Sequence, residues 1–163
     1  MQERNRQVLT AIVLGGVIAA TLDIGAASLI AGRNPTRIMQ AIAGGLLGKA
    51  TFDGGIATMI LGTVLQEFMG MLIAAIYVGV SRIVPGSRRR WISSGLVYGV
   101  IVYFVMNYVV LPLSAWKSVP HFPTASKFAS DMTAMLIFGL IVAFFARRLV
   151  SEQRTQGAAA SPA

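Results

Sequence analysis

Residues 54–80 read GGIATMILGTVLQEFMGMLIAAIYVGV, an apolar run with one acid, Glu67, near its middle and no base. A helix needs about 20 apolar residues to cross the hydrocarbon core of a bilayer. This run is long enough, and once inserted it must keep a carboxyl group away from lipid. Other helices have to surround it. The chain supplies three more apolar runs, at 8–31, 92–113 and 128–145. The expected fold is therefore all-α: an integral membrane four-helix bundle over residues 1–150, with spans at 8–31, 55–80, 92–113 and 128–145. A small, polar tail at 151–163 is expected to be disordered.

Composition points the same way. Charged residues make up 12% of the chain, against about 25% in soluble domains, and mean hydropathy is +0.70. The 163 residues allow one bundle and no separate soluble domain. There is no cysteine, which excludes a disulfide framework or a thiolate metal site. A single histidine excludes a His-rich metal cluster. No cofactor is expected. A net charge of +8 can signal nucleic acid, but here the Lys and Arg residues lie at the ends of apolar runs, where they face anionic headgroups. No basic, aromatic surface is left for nucleic acid. The expected partners are the lipid bilayer and either a second copy of the chain or another membrane protein.

The first run follows Arg4 and Arg6, as in a signal peptide, but it exceeds twenty residues and contains Asp23, so it reads as an uncleaved helix. Gly16, Ala19, Ala20, Asp23 and Ala27 share one helical face. Small residues let a second helix come close, so Asp23 is expected to face protein. Next, Asn34 reads as an N-cap and Pro35 as the first residue of a short helix. Ile38, Met39, Ile42 and Leu46 share one side of it, with Arg37 and Gln40 off that side. It is too short to span. An interfacial helix is expected, with a re-entrant segment as the alternative given Gly44, Gly45 and Gly48.

In the second span Gly62, Gln66 and Gly70 form one row, and Thr63, Glu67, Gly70 and Ala74 the adjacent one. Both polar side chains are flanked by small residues, so the polar side is expected to be the packed side. The third span carries Gly95, Gly99, Tyr103 and Asn107 in one row, and Pro112 is expected to end or kink it. Trp91 and Trp116 suit headgroup-level anchors. The 114–127 connection contains Pro120 and Pro123. Asp131 lies one turn into the fourth span, and Arg147 and Arg148 suit its C-terminal dipole.

Lys and Arg number nine on the side of the termini and the 81–90 connection, and five on the side of the 32–53 and 114–127 connections. The richer side is expected to be cytoplasmic. That places both termini inside the cell. With this orientation Asp23, Asn107 and Asp131 fall in the outer half of the bilayer and Glu67 near its middle. A polar pocket open to the outside and tapering toward Glu67 is expected, with Gln66 in the same network and Lys49, Lys117 and His121 at its mouth.

Two functions fit such a pocket. The first is a structural or interaction bundle, in which a buried polar network holds the helices in register. Glu67 would then be protonated and bonded to Gln66, Asn107 or a backbone carbonyl, at about 0.6–2 kcal/mol per contact. The second is a small proton- or cation-coupled permeation unit that uses Glu67 as its proton-binding residue. The first is preferred, since four spans are few for a transporter and no interrupted helix pair is evident. No P-loop, HExxH, GxSxG or dinucleotide motif is present, so no enzyme is expected. Ser114, Ser118 and His121, with Asp131 as the one nearby orienting acid, read as a chance grouping rather than a triad.

The stretch 42–68, IAGGLLGKATFDGGIATMILGTVLQEF, and the stretch 95–115, GLVYGVIVYFVMNYVVLPLSA, resemble a group of small uncharacterised bacterial inner-membrane proteins with four spans. The likeness covers about 8–148 and is most specific at 106–114, MNYVVLPLS. In that group a histidine usually stands at the positions of Glu67 and Asp131. Here both are acidic, which removes any shared histidine chemistry and implies that the two positions are spatial neighbours. The resemblance implies fold and location and no activity.

Overall fold

The structure, a computed structural model, describes residues 2–32, 34–84, 86–87, 89–117 and 124–151. The tail beyond residue 151, Arg88, Ser118, Pro120, His121 and Pro123 lie outside the described residues. Helix α1 spans Gln2–Ala31, α2 Pro35–Leu47 and α3 Gly55–Ile83, with a 3-10 turn at Gly48–Asp53 between α2 and α3. Helix α4 spans Trp91–Val105 and runs through a π-helical segment, Met106–Val110, into α5, Leu111–Leu113; α6 spans Ala125–Ser151. Among the described residues there is no strand. Four helical stretches are long and apolar enough to cross a membrane: Asn5–Leu29, Gly55–Ile83, Trp91–Leu113 and Ala125–Arg148. Helix α1 starts before the apolar run because Gln2 to Gln7 contain neither Gly nor Pro and include several good helix formers.

The close-packed pairs are α3 with α1, α1 with α6, and α6 with α4, while α2 lies along α3. Glycines set the crossings. A Cβ on Gly70 would sit 2.7 Å from both the Ala20 Cβ and the Gly16 carbonyl oxygen, so α1 and α3 touch backbone to backbone. On the other side Gly139 faces Gly95 and Gly99, and its Cβ would fall 2.8 Å from the Gly99 nitrogen. Such approaches maximise van der Waals contact, the main attraction between helices in lipid. Small and medium residues fill the core: Ala19, Ala74, Val78, Val142, Ala143 and Ala146, with Tyr77 and Phe138. The opposite faces are apolar and exposed. On α3 the stripe Ile56, Ile60, Val64, Phe68, Leu72, Ile76 and Val80 repeats every four residues with nothing covering it, a surface suited to acyl chains.

The third span ends at Leu113, one residue past Pro112, as expected. Pro112 has no N–H to offer and its ring crowds the preceding turn. The helix answers by widening one turn earlier: the Leu111 N–H bonds to the Met106 carbonyl, five residues back. Helix α2 starts as expected, with Asn34 Oδ1 accepting from the Thr36 N–H at 3.0 Å and Pro35 opening the helix. Its packed face takes in Met39 from the apolar side and Gln40 from off that side. Met39, Gln40, Ala43 and Gly44 are buried, whereas Leu46 is 63% exposed. Gln40 turns inward because the turn beneath it leaves carbonyls to satisfy. Its amide donates to the Gly55 carbonyl at 3.1 Å and to Thr58 Oγ1 at 3.4 Å. Thr51 Oγ1 donates to the Gln40 carbonyl at 2.8 Å, and Thr58 Oγ1 to the Thr51 carbonyl at 2.7 Å. A short polar knot, together with the buried Met39, Ala43 and Gly44, fastens α2 to α3.

Candidate functional site

The polar residues of the spans converge at the α2 end of the bundle. A cleft of ≈ 710 Å³ opens there between α1, the π-helical part of the third span and α6; Asp23, Tyr103, Asn107, Lys127, Ser130 and Asp131 are among its lining residues. Each reaches it for a local reason. Asp23 projects from the small-residue face of α1. Asn107 is carried by the π-helical turn, and its amide donates to the Tyr103 carbonyl at 2.9 Å. Lys127 and Asp131 stand four residues apart on α6, the spacing that brings side chains together, and form an ion pair at 2.7 Å. Their side chains are 62% and 32% exposed, so the pair is open and not buried, and contributes at most about 0.5 kcal/mol.

Gln66 and Glu67 part company. The Gln66 amide donates to Asp23 Oδ2 at 3.3 Å, which ties α3 to the cleft through α1. Glu67 does not line the cleft. Its Oε1 accepts from Thr21 Oγ1 at 3.3 Å, and its Oε2 is buried without a hydrogen-bond partner. Successive residues on a helix diverge by about 100°, and residues two apart by about 200°. Gln66 with Asp23 and Glu67 with Thr21 thus sit on opposite edges of one α1–α3 seam. The expected taper of the pocket toward Glu67 is replaced by a floor at Asp23. Below it lies a void of ≈ 30 Å³ whose other lining residues are Ala19, Leu22, Ala26, Ala134, Ile137, Phe138 and Ile141, all apolar. Contrary to the expected network, Glu67 is bonded neither to Gln66 nor to Asn107.

The expected mouth also differs. Lys49 and Lys117 are exposed but do not line the cleft, and His121 lies outside the described residues. Lys127 is the cation there. Its relation to Asp131 is readable from the four-residue spacing alone. The described start of the connection after α5, residues 114–117, folds back on α2. The Ala115 N–H bonds to the Gly45 carbonyl at 2.7 Å, and Trp116 Nε1 donates to the Ala41 carbonyl at 3.0 Å. Phe52 packs against the Trp116 ring, with centroids 6.0 Å apart. Trp116 is thus a clasp on α2. Trp91 packs edge-on against Phe144 at 5.8 Å, with the Arg147 guanidinium 5.7 Å from its ring centre. Ser114 donates its hydroxyl to the Leu111 carbonyl at 2.7 Å, a turn-closing bond. Among the described residues no group of three His, Cys, Asp or Glu side chains could hold a metal ion.

The chain matches no family model, and neither a curated protein nor a solved structure is similar to it.

Proposed function

We propose that this chain is a multi-pass protein of a bacterial inner membrane, with both termini cytoplasmic, and that it acts as a structural or interaction bundle without enzymatic activity. Four apolar helices support the membrane assignment, and the excess of Lys and Arg at the end holding the termini supports the orientation. One observation carries the functional reading: the polar cleft is a blind one. Asp23 is its last polar side chain, and past it the helices meet through Ala19, Phe138, Val142 and Ala143. A path for ions needs polar groups or water through the whole hydrocarbon core, and directly past Asp23 the helices leave only a void of ≈ 30 Å³ with an otherwise apolar lining. The cleft suits recognition of a polar group brought by a partner membrane protein or by a second copy.

The test is reconstitution of the full chain in liposomes under a pH gradient. The expected result is no proton or cation flux above empty vesicles; flux abolished by Glu67→Gln would overturn the reading. The permeation alternative is kept for one reason, the buried and unpartnered Oε2 of Glu67. A carboxyl so placed can exchange a proton only if a route to it opens along the α1–α3 seam.

A further inference from the structure

A second cavity, of ≈ 790 Å³, lies at the opposite end from the cleft, between the last turns of α3 and the first turns of α4. These helices are consecutive in sequence, yet they are not a close-packed pair. Long side chains bridge them instead. The Tyr77 and Tyr98 rings meet edge to face at 5.0 Å. The Tyr98 hydroxyl donates to the Ile73 carbonyl at 2.6 Å, and the Tyr77 hydroxyl lies 2.6 Å from Ser94 Oγ. The aromatic pair forms the floor of a groove. Its walls are apolar and open: Val80 is 47% exposed, Val97 60% and Ile101 51%. At the rim the chain reverses through Gly86, whose φ of +87° few other residues tolerate, and this turn presents Arg89 and Arg90 together with Ser87 and Ser93. The described lining holds two guanidiniums, several hydroxyls and no carboxylate. Neither arginine forms an ion pair among the described residues.

We propose that this groove binds one anionic phospholipid, with the phosphodiester at Arg89 and Arg90 and an acyl chain along Val80, Val97 and Ile101. Guanidinium forks match phosphate oxygens two at a time. A basic pocket between membrane helices at the end expected to be cytoplasmic faces the leaflet that carries anionic headgroups. The volume lies within the usual range of ligand sites. A hydrophobic wall running from a cationic rim fits an amphiphile, whereas a free phosphate would use the rim alone. The groove is separate from the polar cleft, and lipid binding there does not depend on what that cleft does.

The test uses the full chain, purified in mild detergent and offered phosphatidylglycerol or phosphatidylcholine. Retained lipid is counted by native mass spectrometry, and the thermal midpoint is followed with each lipid. The expected result is one tightly held phosphatidylglycerol, bound at least tenfold more strongly than phosphatidylcholine. The R89Q/R90Q variant should lose that preference while keeping the lipid-free midpoint of the parent. Val97→Trp, which fills the groove without changing charge, should weaken retention comparably. The charge-matched R147Q/R148Q variant should change it less than twofold. Equal loss from both arginine pairs would mean diffuse surface attraction and would overturn the site. So would equal retention of the two lipids, or full displacement by inorganic phosphate with Val97→Trp binding as the parent does.

Discussion

Replacing Gly62 by alanine tests how α2 is held. A Cβ at Gly62 would overlap the Met39 carbonyl oxygen and lie 2.6 Å from its carbonyl carbon and 3.1 Å from its Cα. All of these are backbone atoms, so no side chain can swing aside. Bringing the carbon contact alone back to about 3.5 Å requires α2 and α3 to part by about 1 Å, and relieving the oxygen overlap requires more. The hydrogen bonds that Gln40 makes to Gly55 and Thr58 are already 3.1 and 3.4 Å long and would break first. Overpacking costs about 1–3 kcal/mol, and breaking an interhelical hydrogen bond in a membrane costs about 0.6–2 kcal/mol. The better helix propensity of alanine returns about 0.5–1 kcal/mol. The expected net loss is about 1–4 kcal/mol. The matched control is Gly79→Ala, on the same helix with nothing within 4 Å of its Cβ, which should be neutral or slightly stabilising. Denaturant titration in detergent measures both. The chain has two tryptophans, and Trp116 is clasped to Ala41 of α2. In a Trp91→Phe background its emission therefore reports whether α2 has lifted. If Gly62→Ala and Gly79→Ala unfold within about 0.5 kcal/mol of each other and Trp116 emission is unmoved, the close approach of α2 to α3 is wrong.

By the same unfolding titration, Gly139→Leu should separate α4 from α6 and cost more than about 3 kcal/mol, since its neighbours at Gly95 and Gly99 are backbone; Gly25→Ala, in open space, should not. Trp116→Phe removes one hydrogen bond to Ala41 and should cost about 1 kcal/mol, read as faster proteolysis near exposed Lys49 with the four spans intact. Asp23→Asn keeps a group that accepts from Gln66 and should leave unfolding within about 0.5 kcal/mol of the parent, whereas Asp23→Leu strands the Gln66 amide and should cost about 1–2 kcal/mol. Lys127→Ala should change stability by less than about 0.5 kcal/mol, because its ion pair with Asp131 is exposed.

Much of the fold is legible along the chain. Apolar runs of spanning length can close their backbone hydrogen bonds only as helices, so the four spans can be read from length and hydropathy. The faces are legible where small residues recur. Gly16, Ala20 and Gly70 meet at one crossing, and Gly95 and Gly99 at another, because in lipid close backbone contact rewards just those residues. The N-cap of α2 is legible because Asn34 and Pro35 act on their immediate neighbours.

What tertiary structure alone decided is which polar groups meet. A helical row says that Gln66 and Glu67 lie near the packed side of α3, but they point about 100° apart. Only the crossing angle and register of α1 assign Asp23 to one and Thr21 to the other. For the same reason Glu67 lies outside the cleft that Asp131 lines, whereas the pairing of Asp131 with Lys127 follows from their four-residue spacing on one helix. Periodicity puts Gln40 on an outer face because its nearest neighbours in sequence offer it no partner; the carbonyl that draws it inward belongs to Gly55, fifteen residues on. Hydrophobic periodicity reports how much of a side chain prefers to leave water. It carries no information about a hydrogen bond whose partner is supplied by a distant turn, and there the three-dimensional packing decides.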